Sequence, residues 1–241
     1  MRALFISDVH LSESDPITSD RFFTFMERIA PQADALYVLG DLFHVWLGDA
    51  LIPHDEFAQK TIRAFAQFSG TLKPLYFILG NRDFMLSSQF ARACGGKFLP
   101  AQSVITLGSE RAVVLHGDEL CTDDERYQRA RRILRSRAFK AFGNALPFWL
   151  RRRIAARIRA ASKSHKANAT MQIMDANRDA IDAMFTKYNV KLMIHGHTHR
   201  PTDEWIDTQT GRKRRIVLSD WQQNYGYLEW QDGEFHVRPW P

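Results

Sequence analysis

Seven polar residues stand where they could build one chemical centre: Asp8, His10, Asp41, Asn81, His116, His195 and His197. They occur as Asp8-Val9-His10, Gly40-Asp41, Gly80-Asn81, His116-Gly117 and His195-Gly196-His197. Carboxylate, imidazole and amide oxygen without thiolate suit a borderline-hard divalent ion such as Mn, Fe, Co or Zn. Seven donors exceed what one tetrahedral site needs, and one carboxylate shared between two ions resolves the excess. Two ions about 3.5–4 Å apart can grip both sides of a phosphoryl centre, which is hydrolysis of a phosphate ester or anhydride. Each residue alone has a bland reading. A single His is more often structural, Asp8 could cap the next segment, and Asp41 could be a turn residue. The joint pattern outweighs these readings, because all five segments share it. His44, His54, His165 and His236 fall outside it. His199 is open between supporting the ligands, facing substrate and a purely structural place.

The elements that must position these groups are legible. Segments 2–7, 35–41, 75–83, 112–118 and 191–197 are apolar runs that each end in, or run directly into, Asp, Asn or His. Helical patterns lie at about 18–30, 54–69, 84–93 and 171–188. Strands alternating with helices imply an α/β fold with a mostly parallel sheet covered by helices. Ligands in such sheets bind beyond the carboxyl ends of the strands. Extended backbone would point the side chains of Asp8 and His10, two apart, the same way. The stretch 203–241 reads as short antiparallel strands, with a turn at Asp232-Gly233.

Composition bounds the rest. The 241 residues are 45% hydrophobic and 25% charged, ordinary for a folded globular protein. No apolar run is long enough for a transmembrane helix. The start reads as a buried strand rather than a signal peptide. Cys94 and Cys121 make neither a disulfide framework nor a thiolate zinc site, so a reduced, cytoplasmic setting is expected. The net charge of +6 hides an asymmetry: residues 126–166 hold 14 Lys/Arg and no Asp or Glu, against 19 basic and 27 acidic groups elsewhere. Such a cationic segment favours an anionic partner. It reads as a helical insertion, about 123–166, with helices at 123–142 and 148–163 broken near Asn144 and Pro147.

On these motifs, and on GDLFHVWLGD (40–49), GNRDF (80–84), HGDELCTDDERYQ (116–128), RRRIAARIRAASK (151–163), IMDAN (173–177) and HGHTHRP (195–201), the chain resembles the calcineurin-like metallophosphoesterases. Within them it is most similar to members acting in lipid A biosynthesis. The resemblance covers the catalytic body, roughly 1–120 and 170–220, and these long segments include the insertion. It implies an α-β-β-α sandwich carrying a helical lid, one domain over 1–241. It also implies hydrolysis of the pyrophosphate bond of UDP-2,3-diacylglucosamine to 2,3-diacylglucosamine 1-phosphate and UMP, by attack of a metal-bound hydroxide on the uridine-side phosphorus. Two Mn²⁺ are implied, one on Asp8, His10, Asp41 and His197, the other on Asp41, Asn81, His116 and His195. Arg82 stands where the commoner pattern has His, and its planar fork would neutralise the transferred phosphoryl group; a surface salt bridge is its bland alternative. Asp124 matches a residue that binds the glucosamine head group, and is equally sensible as a helix N-terminal carboxylate. Ser162 matches another substrate contact, and Lys166 lies one helical turn on. His44 and Ala50 depart from the family's usual Glu and Asp, which puts the architecture of that loop in question, not the metal centre.

The implied substrate carries two acyl chains and sits in the cytoplasmic face of the inner membrane, so a peripheral, monomeric enzyme is expected. Phe148, Trp149 and Leu150 beside Arg151, Arg152 and Arg153 suit an interfacial helix meeting anionic head groups. The same apolar residues could instead line an acyl groove, or pack a plain hairpin with a basic solvent face. The alternative function is another dinuclear phosphoesterase, a cyclic-nucleotide phosphodiesterase or a nuclease. No nucleic acid is expected, because the segment's aromatics form no obvious stacking platform.

Overall fold

The computed structural model describes residues 1–157, 175–222 and 226–239. Two sheets lie face to face between layers of helix. The first runs, in spatial order, β11 (Glu234–Arg238), β10 (Tyr227–Gln231), β1 (Arg2–Ile6), β2 (Ala35–Leu39), β3 (Leu75–Ile78) and β4 (Lys97–Phe98). The second runs β5 (Gln102–Leu107), β6 (Glu110–Leu115), β7 (Leu192–His195), β9 (Gly211–Val217) and β8 (Thr202–Thr208). Strands β1 to β4 pair in parallel, as do β6, β7 and β9, and antiparallel strands close the edges. The donor-bearing strands therefore divide between two sheets. Alternation of strand and helix suggests one continuous sheet; the sandwich implied by the resemblance is what forms.

Period-two alternation builds the layers. In β1, Leu4 and Ile6 face α1 (Pro16–Arg28) and α2 (Glu56–Ser69), in a core with Phe22, Phe25 and Phe65. Ala3 and Phe5 face the second sheet, against Val114, Ile194 and Ile216. The far side of that sheet packs Val113 and Met193 on Ile181, Met184 and Phe185 of a helix at Arg178–Tyr188. Helix starts follow capping chemistry: Asp15, Asp55 and Ser87 accept backbone N–H groups ahead of α1, α2 and α3 (Ser88–Ala93). The Asp232-Gly233 turn forms, with φ of 53° and 95°.

The basic segment emerges after β6 as α4 (Glu125–Leu134), α5 (Arg137–Ala145) and α6, described over 148–157. The continuous helix expected over 123–142 is broken at Ser136, whose hydroxyl caps α5 by accepting from Phe139 N at 3.1 Å. Neither α4 nor α5 buries a residue. Ile133, Phe142, Phe148 and Trp149 are exposed, which disfavours a plain hairpin packed on its own core. Arg151 is not part of an outward face. Its guanidinium donates to the carbonyls of Leu146 at 2.8 Å, Leu47 at 3.2 Å and Asn144. It clamps the α5–α6 corner to the loop after β2, leaving Arg152 and Arg153 exposed. Ser162, Lys166 and the rest of helix 148–163 lie outside the described residues, as does the start of helix 171–188. The described helix begins at Arg178 and is called α7 below.

Candidate metal centre

The carboxyl ends of the two sheets meet edge to edge. His116, just past β6, lies 2.9 Å through Nδ1 from the Leu39 carbonyl of β2. Its Nε2 lies 3.0 Å from Asn81 Oδ1 in the loop after β3. Asp8 accepts His197 N at 2.8 Å, joining the loops after β1 and β7. Asp41 accepts Arg82 N at 2.8 Å, joining those after β2 and β3. The loops are packed too closely to admit side chains at their glycines. A Cβ on Gly80 would sit 2.1 Å from Asp41 Oδ1, and one on Gly196 would sit 2.2 Å from Asp8 Oδ2.

The donors leave their strands in a conformation that L-residues seldom adopt. Asp8, His10, Asp41, His197 and His199 have φ of 52°, 56°, 51°, 69° and 54°. This corrects the extended backbone expected for Asp8 and His10. Left-handed backbone at non-glycine residues is strained and persists where the surroundings impose it. Asp83 imposes part of it: its buried carboxylate accepts Gly80 N at 2.8 Å and Leu42 N at 2.7 Å, clamping the turns that carry Asn81 and Asp41.

Among the described residues, two groups have donor atoms within 4.8 Å of one another: Asp8, His10 and His199, and Asp8, Asp41 and His116. Asn81 adjoins the second. The His197 ring lies edge-on to His116, centroids 5.0 Å apart, and stacks on Tyr127 at 6.0 Å. His195 sits elsewhere. Its Nδ1 is 2.9 Å from the Gly196 carbonyl, and its Nε2 accepts from Arg215 Nε at 2.9 Å. The structure thus brings His199, rather than the expected His197, to Asp8 and His10. His199 is oriented from behind, its Nδ1 2.9 Å from Asp220 Oδ2 and its Nε2 3.3 Å from Asp8 Oδ1. A carboxylate behind an imidazole is the usual support of a ligating His. The Arg82 guanidinium reaches the same cluster, Nε 3.5 Å from Asp41 Oδ2, with its other edge 3.4 Å from His44 Nδ1. Asp124 caps α4, accepting Tyr127 N at 2.9 Å.

The electrostatics describe a buried cluster in need of cations. Burial, with Asp8 adding to it, raises the Asp41 carboxyl. Burial lowers His10 to about 3, with Arg82 and the neighbouring imidazoles contributing against Asp8. Burial would also lower His199, but its bonds to Asp220 and Asp8 outweigh it and raise the group to about 9. Asp8 Oδ1 and His10 Nδ1 are buried without a well-formed hydrogen bond. Orphaned donors of this kind, two adjacent buried carboxylates and an all-oxygen-and-nitrogen set fit divalent cations. Binding them requires these imidazoles to be neutral.

The comparisons agree with this chemistry. A family model described as calcineurin-like phosphoesterase matches residues 1–201. The chain is 38% identical over 238 residues to the UDP-2,3-diacylglucosamine hydrolase of Vibrio atlanticus, a match covering 99% of this chain and 97% of that one. It is 44% identical over 231 residues to the protein of the same name from Sodalis glossinidius, covering 95% and 94%. Among solved structures, the Escherichia coli phosphoesterase Yfce matches with a TM-score of 0.50 at 15% identity, covering 99% of this chain and 93% of that one. That likeness shows the fold alone.

Proposed function

Because this chain belongs to the calcineurin-like phosphoesterases, we propose that its centre cleaves the pyrophosphate of UDP-2,3-diacylglucosamine, giving 2,3-diacylglucosamine 1-phosphate and UMP. The observation that carries the reading is the near-full-length identity to two hydrolases of that substrate, which spans the insertion as well as the metal-binding body. Asp8, His10, Asp41 and His199 would hold one divalent ion, and Asp41, Asn81, His116 and His197 a second, with Asp41 shared. This departs from the set expected from sequence, which gave His197 to the first ion and His195 to the second: His199 takes the first place, His197 the second, and His195 neither. Manganese suits these donors. Bound there, such ions supply Lewis acidity and lower the pKa of water toward neutrality.

The protein's own groups do the rest. Asn81 and Arg82, adjacent on the turn after β3, meet the phosphoryl oxygens, and the Arg82 fork stabilises charge that grows as the phosphorus is attacked. Asp83 holds that turn against Asp41, so both groups are preset. Asp124, Ser162 and Lys166 remain the proposed contacts to the sugar head group; for Asp124, its capping of α4 fixes the carboxylate's direction. Phe148 and Trp149 with Arg152 and Arg153 are proposed to meet an anionic lipid surface, at the cytoplasmic face of the inner membrane. No helix of the described residues is long and apolar enough to cross a membrane. A peripheral, monomeric enzyme remains the proposed reading, because this face would join it to a lipid-borne substrate.

The deciding experiment is turnover with Mn²⁺ of the acylated UDP-sugar against cyclic nucleotides and single-stranded RNA. Preference for the acylated sugar is expected. Faster cleavage of either alternative would move the protein to a nucleotide or nucleic-acid phosphodiesterase.

A further inference from the structure

Asp118 is fully buried, yet it belongs to neither donor group. Its carboxylate accepts Arg131 Nε at 2.6 Å, Arg135 Nη2 at 3.0 and 3.1 Å, and the Tyr127 hydroxyl at 2.8 Å. Its carbonyl accepts Gln128 Nε2 at 2.8 Å. Tyr127, Arg131 and Arg135 are spaced by four, so they share one face of α4 and its C-cap. A single carboxylate thus grips the whole length of the first insertion helix. Two of its partners also touch the metal-centre loops: Tyr127 through its ring on His197, and Arg135 by donating to the Leu79 carbonyl at 3.2 Å, just before Gly80-Asn81.

No residue of α4 is fully buried, and its inward-facing side chains Tyr127, Gln128 and Arg131 make polar contacts. Arginine forks on a buried carboxylate fix direction more strictly than they add stability. We propose that Asp118 is a positioning residue: through Arg131, Arg135 and Tyr127 it seats the helical insertion over the donor cluster, so that the insertion presents the acylated sugar to the phosphoryl centre. This rests on the substrate reading above. Arg151, bonded to Leu47 at the other end, is a second tie on the same insertion.

The test is Asp118→Asn, with KM and kcat measured on the acylated UDP-sugar and on bis(p-nitrophenyl) phosphate, a soluble diester without acyl chains. Amide hydrogen exchange is followed in parallel. The variant should lose roughly tenfold or more in kcat/KM on the acylated substrate, mainly through KM, because misplacing a positioning element by about 1 Å is that costly. The diester kcat should stay within about twofold. Exchange should quicken across α4 and α5 and not across β1 to β3. Equal losses on both substrates, or unchanged exchange in α4, would overturn the proposal. If the wild type ignores the acylated sugar, the substrate reading fails, and the exchange pattern alone decides whether Asp118 seats the insertion. Should Asp118→Asn not fold, Arg135→Gln, which keeps the Arg131 pair, carries the same expectations.

Discussion

The donor edge and the helical insertion lie side by side and are held by opposite means. At the edge, backbone does the work: loops from two sheets interlock through buried hydrogen bonds, glycines allow contact too close for a Cβ, and five non-glycine residues accept left-handed φ. In α4 and α5, no residue is fully buried and charged side chains tie the insertion down, Asp118 at one end and Arg151 at the other. A preset centre holds reacting groups to fractions of an ångström. An insertion seated by a few ion pairs leaves apolar side chains free for a lipid. On the proposed function, chemistry and substrate recruitment would thus fall to separate mechanical regimes.

The hardest blow to that comparison falls on Asp41. Asp41→Ala removes the carboxylate that faces His116 at 3.7 Å and Arg82 at 3.5 Å. A fall in Mn²⁺-dependent turnover of about a thousandfold or more is expected, with the fold retained by circular dichroism. Near-native rates would mean that the preset edge is not where the chemistry occurs.

Next comes the contrast of His199 with His195. His199→Ala should weaken Mn²⁺ binding by roughly 10–100-fold in calorimetric titration. His195→Ala should change it by less than about threefold and instead lower stability, through the Arg215 bond. The reverse ranking would restore the assignment expected from sequence. The strand ends show how the proposed set and the one expected from sequence come to differ. In His195-Gly196-His197-Thr198-His199, three imidazoles alternate, and spacing alone does not say where the strand stops. β7 ends at His195 itself. His197 and His199 therefore stand two and four residues past the strand, as Asp8 and His10 do past β1. That shared offset and the shared left-handed φ relate the two loops, and they emerge only once the strand ends are known. The other proposed donors follow apolar runs that mark their strand ends sharply. Division of the strands between two sheets was not legible, since a parallel strand reads alike in either. Nor was the break at Ser136, a cap inside a pattern that stays amphipathic on both sides. The inward turn of Arg151 was also hidden: three consecutive arginines look equivalent until the α5–α6 corner aims the first at carbonyls.

The insertion's outward face is tested by Arg152→Gln with Arg153→Gln. Each basic residue near an anionic surface contributes about 1 kcal/mol, so partitioning to phosphatidylglycerol vesicles should fall roughly thirtyfold, with diester turnover unchanged. Arg151→Gln should instead loosen the α5–α6 corner and leave vesicle binding nearer wild type. Equal effects of Arg151 and its two neighbours on vesicle binding would erase the division between a clamping arginine and surface arginines.

The smallest effect probes whether an arginine-held carboxylate behaves differently in the rigid body. Glu229, buried in β10, accepts Arg238 Nε at 2.6 Å and pairs with Arg2 of β1, tying β1, β10 and β11 together. Burial raises its carboxyl, but the two arginines outweigh burial and lower it. A folded pKa below the unfolded one means the stabilisation is complete above the usual glutamate range and is lost as pH falls through the folded value. Glu229→Gln should therefore cost about 1–2 kcal/mol near neutrality, and the gap in Tm from wild type should close in acid. Unlike Asp118, Glu229 holds strands that already share a ladder and a core, so its loss should lower Tm without changing exchange in α4 or KM for the acylated sugar. If Glu229→Gln moved KM as Asp118→Asn is expected to, arginine-held carboxylates would act on the enzyme through global stability, and the separate seating of the insertion would have no support.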